Sequence, residues 1–292
     1  MAKSASPLAS KSIRTSKKQT RNKAQSESPA KYNKYALYEK SVQSPEVDVT
    51  WFTTIFRDLR DEEPVSLRED FCGTFKVACN WLTRGPEKTA IGMDLDPEPL
   101  DYGMKHHYPK LTADEKKRIT LLKQDVLTPP KKKSDVVVVG NFSFYIFQER
   151  ELLRNYFKTV VSSLSPKGIL ILEMSGGPGM IEKTKDRRRV SKKGKLEFTY
   201  IWDQREFEPI HNRAQYSIHF KFANGKMYKD AFTYDWRLWS IQEVREIMAE
   251  AGFSKSVVYW ETEHKGEGTG EYAAMEEGDN AYSWISYVVG VK

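Results

Sequence analysis

A chain of 292 residues, 39% hydrophobic and 12% aromatic, has the size of one α/β domain with insertions or of two small domains, with enough apolar side chains for a sizeable core. No run approaches the roughly 18 apolar residues of a membrane span, and the charged N-terminus carries no apolar signal-peptide segment. The net charge of +7 invites an anionic partner, but its distribution confines that idea to one end of the chain.

Residues 1–34 hold nine Lys or Arg against one acid, Glu27, whereas the other 258 residues hold 38 bases and 39 acids. The basicity is a tail and the body is neutral. Rich in Ser, Lys, Ala and Gln, the tail reads as disordered. Its functional alternatives are contact with nucleic acid or another acidic surface, and an organelle presequence in residues 1–30. Lys outnumbering Arg counts against the presequence. Cys72 and Cys79 form neither a disulfide framework nor a metal quartet, so the expectation is a reducing, cytoplasmic setting with no metal site.

From Tyr32 to Leu59 the apolar spacing predicts helix, interrupted at Ser44-Pro45, with Ser44 as N-cap and Pro45 at the first helical position. A strand over Val65–Glu69 leads into the loop Asp70-Phe71-Cys72-Gly73-Thr74 and the helix Phe75–Leu82. Strand Thr89–Asp94 follows, then a helix opened by Asp96 and Pro97 that runs to about Tyr108. Further strands are Ile119–Lys123, Asp135–Gly140 and Ile169–Glu173, with the helix Glu149–Leu164 between the last two. This alternation predicts a doubly wound, mostly parallel sheet with helices on both faces.

The pattern then changes. Residues 175–195, Gly-rich and very basic, suggest a mobile loop. Residues 196–234 alternate and are aromatic, and Asn224-Gly225 signals a hairpin. Ser240 caps a helix over Ile241–Ala251 that stops at Gly252. A strand Ser256–Trp260, a Gly/Glu-rich stretch over 262–280 and a last strand Tyr282–Val291 complete the chain.

Several residues stand where a doubly wound sheet binds ligands, at the carboxyl ends of its strands. Asp94 ends the second strand 21 residues after Gly73, where a carboxylate accepts ribose hydroxyls; its bland alternative, a helix cap, suits Asp96 better. Asp125 follows the third strand, with a turn before Thr128-Pro129-Pro130 as its structural alternative. Gly140-Asn141-Phe142-Ser143-Phe144-Tyr145 follows the fourth strand and reads equally as a pocket wall or as an aromatic turn packed under the next helix.

Taken together, the strand–turn–helix opening, the acid ending the second strand, the acid after the third and the polar-aromatic turn after the fourth resemble class I S-adenosylmethionine-dependent methyltransferases. The resemblance covers about residues 35–175 and 236–291; the wording Glu69-Asp70-Phe71-Cys72-Gly73-Thr74 is similar to an uncharacterised bacterial-type subgroup. It implies a Rossmann-like fold with a seven-stranded sheet, an antiparallel insertion over about 175–235 acting as a substrate lid, and a methyltransferase domain over 35–292. It also implies S-adenosylmethionine as cofactor, bound by Glu69, Phe71, Cys72, Gly73, Thr74, Asp94, Leu95, Asp125, Val126 and Asn141. Family position makes Asn141 and Tyr145 catalytic candidates, and puts Tyr38, Phe144, Trp236 and Arg237 near the acceptor.

The chain departs from the family's acid-x-Gly-x-Gly-x-Gly loop. Glu69 takes the acid position and Gly73 the central glycine, but Phe71 and Phe75 stand where the flanking glycines belong. The glycines normally let backbone approach the cofactor, so the departure puts turnover in doubt more than binding. Tyr38, Tyr145, His211 and His219 are the candidate bases, if the acceptor must lose a proton at all; His106 and His107 read as structural. A small-molecule acceptor methylated at N or O is the leading reading. A protein or RNA acceptor recruited by the tail, a non-catalytic cofactor-binding protein and a nicotinamide-dependent enzyme are the alternatives. The last would need a fuller Gly-x-Gly-x-x-Gly.

Overall fold

The computed structural model describes residues 32–128, 130–264 and 267–292; the tail reading falls almost entirely on residues outside these. Two helices, α1 (Lys34–Val42) and α2 (Pro45–Arg60), precede the first strand. Asn33 caps α1 through Oδ1, while Ser44 stands at the N-cap of α2 without a side-chain bond, so Pro45 does the terminating there. Among the described residues no helix is long and apolar enough to cross a membrane.

The main sheet is built from β1 (Ser66–Asp70), β2 (Thr89–Asp94), β3 (Ile119–Lys123), β4 (Ser134–Val139), β5 (Leu164–Gly176), β10 (Lys255–His264), β11 (Glu267–Ala274) and β12 (Trp284–Val291), in the order β11-β10-β12-β5-β4-β1-β2-β3. β5, β4, β1, β2 and β3 run parallel, whereas β12, β10 and β11 join antiparallel. The doubly wound α/β expectation therefore holds, with eight strands in place of seven. The extra one, β11, comes from the Gly/Glu-rich stretch expected to be irregular; its turn side chains hide a period-2 pairing with β10.

β6 (Lys185–Lys192), β7 (Lys195–Glu208), β8 (Arg213–Phe222) and β9 (Met227–Arg237) form a second, antiparallel sheet in chain order. The mobile loop expected over 175–195 is thus corrected: Lys185–Lys192 pair with β7 along their whole length. All but one of these eight side chains are exposed, so an edge strand carrying Lys and Arg lacks the hydrophobic signature of a strand, as edges that resist further pairing often do.

Helices α3 (Lys76–Leu82), α4 (Pro97–His106) and α5 (Ala113–Arg118), α6 (Arg150–Ser163) and α7 (Ile241–Ala251) cover the main sheet. Asp96 caps α4 by accepting the Glu98 N–H, and Ser240 with Glu243 forms a capping box on α7. The apolar stripe of α6, Leu153, Tyr156, Phe157 and Val160, is fully buried in the core that also holds Trp239 and Val244.

One ionic network lies inside this core. Arg68 and Asp70, both fully buried on β1, pair at 2.8 Å. Arg68 Nη1 also donates to Ser163 Oγ at 2.5 Å, and Tyr156 donates its hydroxyl to Asp70 Oδ2 at 2.7 Å. The network ties β1 to α6 and sets the height of Asp70 beneath the loop that follows. Removing one partner leaves a buried charge uncompensated, which typically costs about 3–5 kcal/mol, whereas deleting one hydrogen bond to a charge costs about 1.5–3 kcal/mol. Denaturant unfolding should therefore show Arg68→Met losing the larger amount and Tyr156→Phe the smaller; equal midpoints to wild type would mean the network is energetically idle.

Candidate functional site

β1 turns into α3 through five residues with an unusual backbone. Phe71, Gly73 and Phe75 all have positive φ, at 57°, 52° and 47°. These are the three positions at which the resembled family has glycine, so the chain keeps the left-handed turn while filling two of its corners with phenylalanine. A non-glycine residue held there costs about 1–3 kcal/mol and persists only where its surroundings over-determine it. The surroundings are aromatic: Phe71 packs against Phe147 and Tyr156, and Phe75, fully buried, meets His107 edge-on. Gly103 on α4 makes room, because a Cβ there would lie 2.3 Å from the Phe75 ring and 2.5 Å from the Thr74 carbonyl.

Hydrogen bonds fix the turn from four sides. The Gly73 N–H donates to Asp94 Oδ2 at 2.7 Å, and the Asp96 N–H to Asp94 Oδ1 at 2.9 Å. The Ala78 N–H, in the first turn of α3, donates to Glu69 Oε2 at 2.9 Å. The Cys72 N–H reaches the Met93 carbonyl on β2. From above, Glu39 on α1 accepts the Thr74 hydroxyl at 2.8 Å and lies 2.6 Å from His107 Nε2. Burial raises the Glu39 carboxyl, but the His107 and Thr74 hydrogen bonds outweigh it and hold the group below its ordinary value.

A cavity of about 440 Å³ opens over this turn, a size within the range typical of small-molecule sites. It lies at the carboxyl ends of β1, β2, β4 and β5, where the strand order reverses between β4 and β1, the usual ligand position in such a sheet. Its other walls come from α1 and α2 (Tyr35, Tyr38, Gln43, Asp48), from the second sheet (Phe232, Tyr234, Trp236 of β9) and from Tyr287 of β12. Six carboxylates, Asp48, Glu69, Asp70, Asp94, Asp96 and Glu173, line it against one cation, Lys34. Lys34 is itself paired with Glu98 at 2.7 Å.

Crowded, buried acids resist ionisation. Burial, opposed by the Ala78 N–H and reinforced by Asp48, Asp94 and Asp70, pushes Glu69 up to about 8. Burial also pushes Glu173 up to about 7, against the Asn141 N–H and with help from Asp48. Asp48 rises to about 6 by burial and the neighbouring Glu46, and burial raises Asp94 as well. Gly73 and Gly140 leave the floor open: a Cβ on either would meet nothing closer than 4.0 Å and 3.7 Å, respectively.

Of the residues singled out in the sequence, Glu69, Phe71, Cys72, Gly73, Thr74, Asp94, Asn141, Tyr38 and Trp236 line this cavity. The others do not. Leu95 is exposed beyond Asp94. Asp125 is exposed and accepts the Leu127 N–H, the turn alternative, while Val126 is buried in the core. Phe144 and Tyr145 are fully buried, and the Tyr145 hydroxyl donates to the Ser175 carbonyl at 2.7 Å, so it bonds within the core instead of facing a ligand. Arg237 stacks at 3.6 Å over Trp239 and donates to the Gln148 carbonyl; Trp239 donates to the Phe147 carbonyl. Both fasten β9 and α7 to the turn after β4. Among the candidate bases, His219 is buried beside Asp203 in a separate cleft, and His211 is exposed beside Glu208.

Sequence reasoning missed Asp48, Glu173, Phe232 and Tyr234. Glu173 was discoverable: it is a lone acid directly after the apolar run Ile169–Leu172 of β5, much as Asp94 follows the apolar run of β2. It accepts the Asn141 N–H at 2.5 Å, where Asn141 and Phe142 are successive left-handed residues after β4. Asp48 had no such signal, since an acid in a first helical turn is ordinary.

No protein-family model matches the sequence, and neither does any curated protein. Solved structures do resemble the fold. SAM-bound CalS10, an amino pentose methyltransferase from Micromonospora echinaspora, aligns with TM-score 0.62 and 17% identity over 88% of this chain and 97% of its own. DesVI of Streptomyces venezuelae aligns at 0.64 with 19% identity over 88% and 96%. The sugar N-methyltransferase KedS8 from Streptoalloteichus sp. aligns at 0.62 with 15% identity over 99% of both chains. At these identities the likeness is one of fold: a Rossmann-like α/β sheet carrying an antiparallel insertion.

The raised carboxyls set a pH dependence. In the unfolded chain they lose their protons near ordinary values, while the folded protein retains them until about pH 6 to 8, so folding stability falls as pH rises through that window. The melting temperature of the ligand-free protein should decline from pH 5 to 8, and Glu69→Gln should flatten the upper part of the decline. A wild-type profile that is flat or rises over that range would contradict the electrostatic description.

Proposed function

We propose that the protein is an S-adenosylmethionine-dependent methyltransferase acting on a small-molecule acceptor. The observation that carries this reading is the left-handed turn at Phe71, Gly73 and Phe75 with its central N–H fixed on Asp94. The turn keeps the backbone path that glycines ordinarily provide, and it answers the chief motive for a non-catalytic reading. Asp94 retains free lone pairs for the ribose hydroxyls, Glu69 and the turn face the amino-acid end, and the open floor at Gly73 and Gly140 gives backbone access. Bound there, the donor supplies a methyl group already activated by its sulfonium, so the chain's task is mainly in-line positioning.

On this reading the insertion, with Phe232, Tyr234 and Trp236, is the acceptor lid, and α1 is its counterpart across the cavity. That methyltransferases of this fold include the amino pentose and sugar N-methyltransferases named above supports a small acceptor. For a macromolecular acceptor recruited by the tail, the basic surface among the described residues is strand β6, with Arg187, Arg188 and Arg189. That strand lies at the opposite edge of the second sheet from β9, three strand spacings or roughly 14 Å away, which favours the small-molecule reading.

Calorimetric titration with S-adenosylhomocysteine tests the assignment. Wild type should bind it, and Asp94→Ala should weaken binding by about 1–3 kcal/mol through unpaired ribose hydroxyls, roughly 5- to 150-fold. Unchanged affinity in Asp94→Ala would refute the ribose role.

A further inference from the structure

We propose that the methyl acceptor is an alkyl amine, bound as its ammonium ion between Asp48 and Glu173 under the aromatic wall of β9, and that Glu173 takes the proton that frees its nitrogen. The inference rests on the methyltransferase reading. Under that reading the donor accounts for Glu69 and Asp94, at the ends of β1 and β2. Asp48 on α2 and Glu173 on β5 remain, both lining the cavity; Asp48 raises the proton affinity of Glu173, and both act on Tyr287.

A second observation points the same way. Asp70, 1% exposed and lining the cavity, keeps Oδ1 buried without a hydrogen-bond partner. Unsatisfied acceptors and excess carboxylates call for a ligand rich in N–H donors and positive charge. Tyr38, Phe232, Tyr234, Trp236 and Tyr287 line the same cavity, and aromatic rings attract an ammonium through their quadrupole. A neutral alcohol brings no charge to Asp48 and Glu173, and an anionic acceptor would be repelled by whichever of them is ionised.

Glu173 is placed for the proton. Its Oε2 is held by the Asn141 N–H at the end of β4, leaving Oε1 for a ligand. The groups facing it are Asp48 from α2, Tyr38 from α1, Tyr145 from the turn after β4, Tyr272 from β11 and Tyr287 from β12. None is a cation. Burial brings the carboxyl to about 7, suited to exchanging protons near neutrality. In the step, the ammonium gives one proton to the Glu173 carboxylate, and the freed lone pair forms the N–C bond to the donor's methyl. The C–S bond breaks with its electron pair left on sulfur. The product is the methylated ammonium and a neutral thioether, and the Glu173 proton then leaves to solvent.

The test uses the protein loaded with S-adenosylhomocysteine and two probes of one shape, cyclohexylamine and cyclohexanol. The amine should bind and the alcohol should not. Because a bound cation pulls Asp48 and Glu173 back to their ionised forms, amine binding near pH 7 should release protons, seen as heats that differ between phosphate and Tris buffers. Glu173→Gln should weaken amine binding about tenfold and reduce the proton release, with S-adenosylhomocysteine affinity kept within about twofold as proof of folding. Asp48→Asn, on a different element, should weaken the amine likewise. Equal binding of alcohol and amine, or full amine affinity and proton release in both variants, overturns the proposal while leaving the methyltransferase reading standing. Failure of S-adenosylhomocysteine to bind wild type overturns both.

Discussion

The rest of the site depends on a backbone constraint: between β1 and α3 the chain must turn through three left-handed residues in five positions. Glycine meets such a demand cheaply, but here two of the three corners are phenylalanines. The strain is offset by what their rings bury. Phe75 fills the space that Gly103 leaves on α4, and Phe71 lies on Phe147 and Tyr156. The turn is thereby coupled to α4, to the turn after β4 and to α6, three elements that a glycine loop would leave untouched. The Arg68–Asp70–Tyr156 network holds the strand beneath it. A loop that looks degenerate by composition keeps three left-handed residues and packs two of them into the core.

Rigidity below is matched by acidity above. Each of the four strand ends under the cavity contributes through backbone or side chain, and the carboxylates of β1, β2, β5 and α2 converge on it. Such convergence costs stability in the empty protein, since the carboxyls must either hold protons or repel one another. It is sustained by backbone N–H donors, which bond one oxygen of Glu69 and of Glu173 and both oxygens of Asp94. A ligand bearing positive charge relieves the repulsion, so the same arrangement that weakens the fold strengthens recognition.

The architecture was largely legible because parallel strands buried on both faces read as apolar runs, and caps such as Asp96 and Ser240 mark helix starts by their own chemistry. β6 was not, because an exposed edge strand carries no hydrophobic period, and neither was β11, whose Gly and Glu residues resemble a loop. At the site, Asp94 and Gly73 were marked by strand-end position and loop motif, and both line the cavity. Leu95, Asp125, Phe144, Tyr145 and Arg237 were expected near the ligand from their positions relative to the resembled family and the strand ends, yet one residue of rotation along the chain separates a cavity wall from the core or the solvent. Tyr145 turns inward to Ser175 and Arg237 onto Trp239. Asp48 and Tyr234 became visible only when tertiary packing brought α2 and β9 over the strand ends.

A crystal structure of the protein with S-adenosylhomocysteine tests the central claim most directly. The account predicts the ribose hydroxyls on Asp94, the amino-acid end against Glu69 and the turn at Gly73, and the sulfur facing the space between Asn141 and Glu173 under Trp236. A ligand bound elsewhere, or bound in this cavity with its ribose away from Asp94, would contradict it.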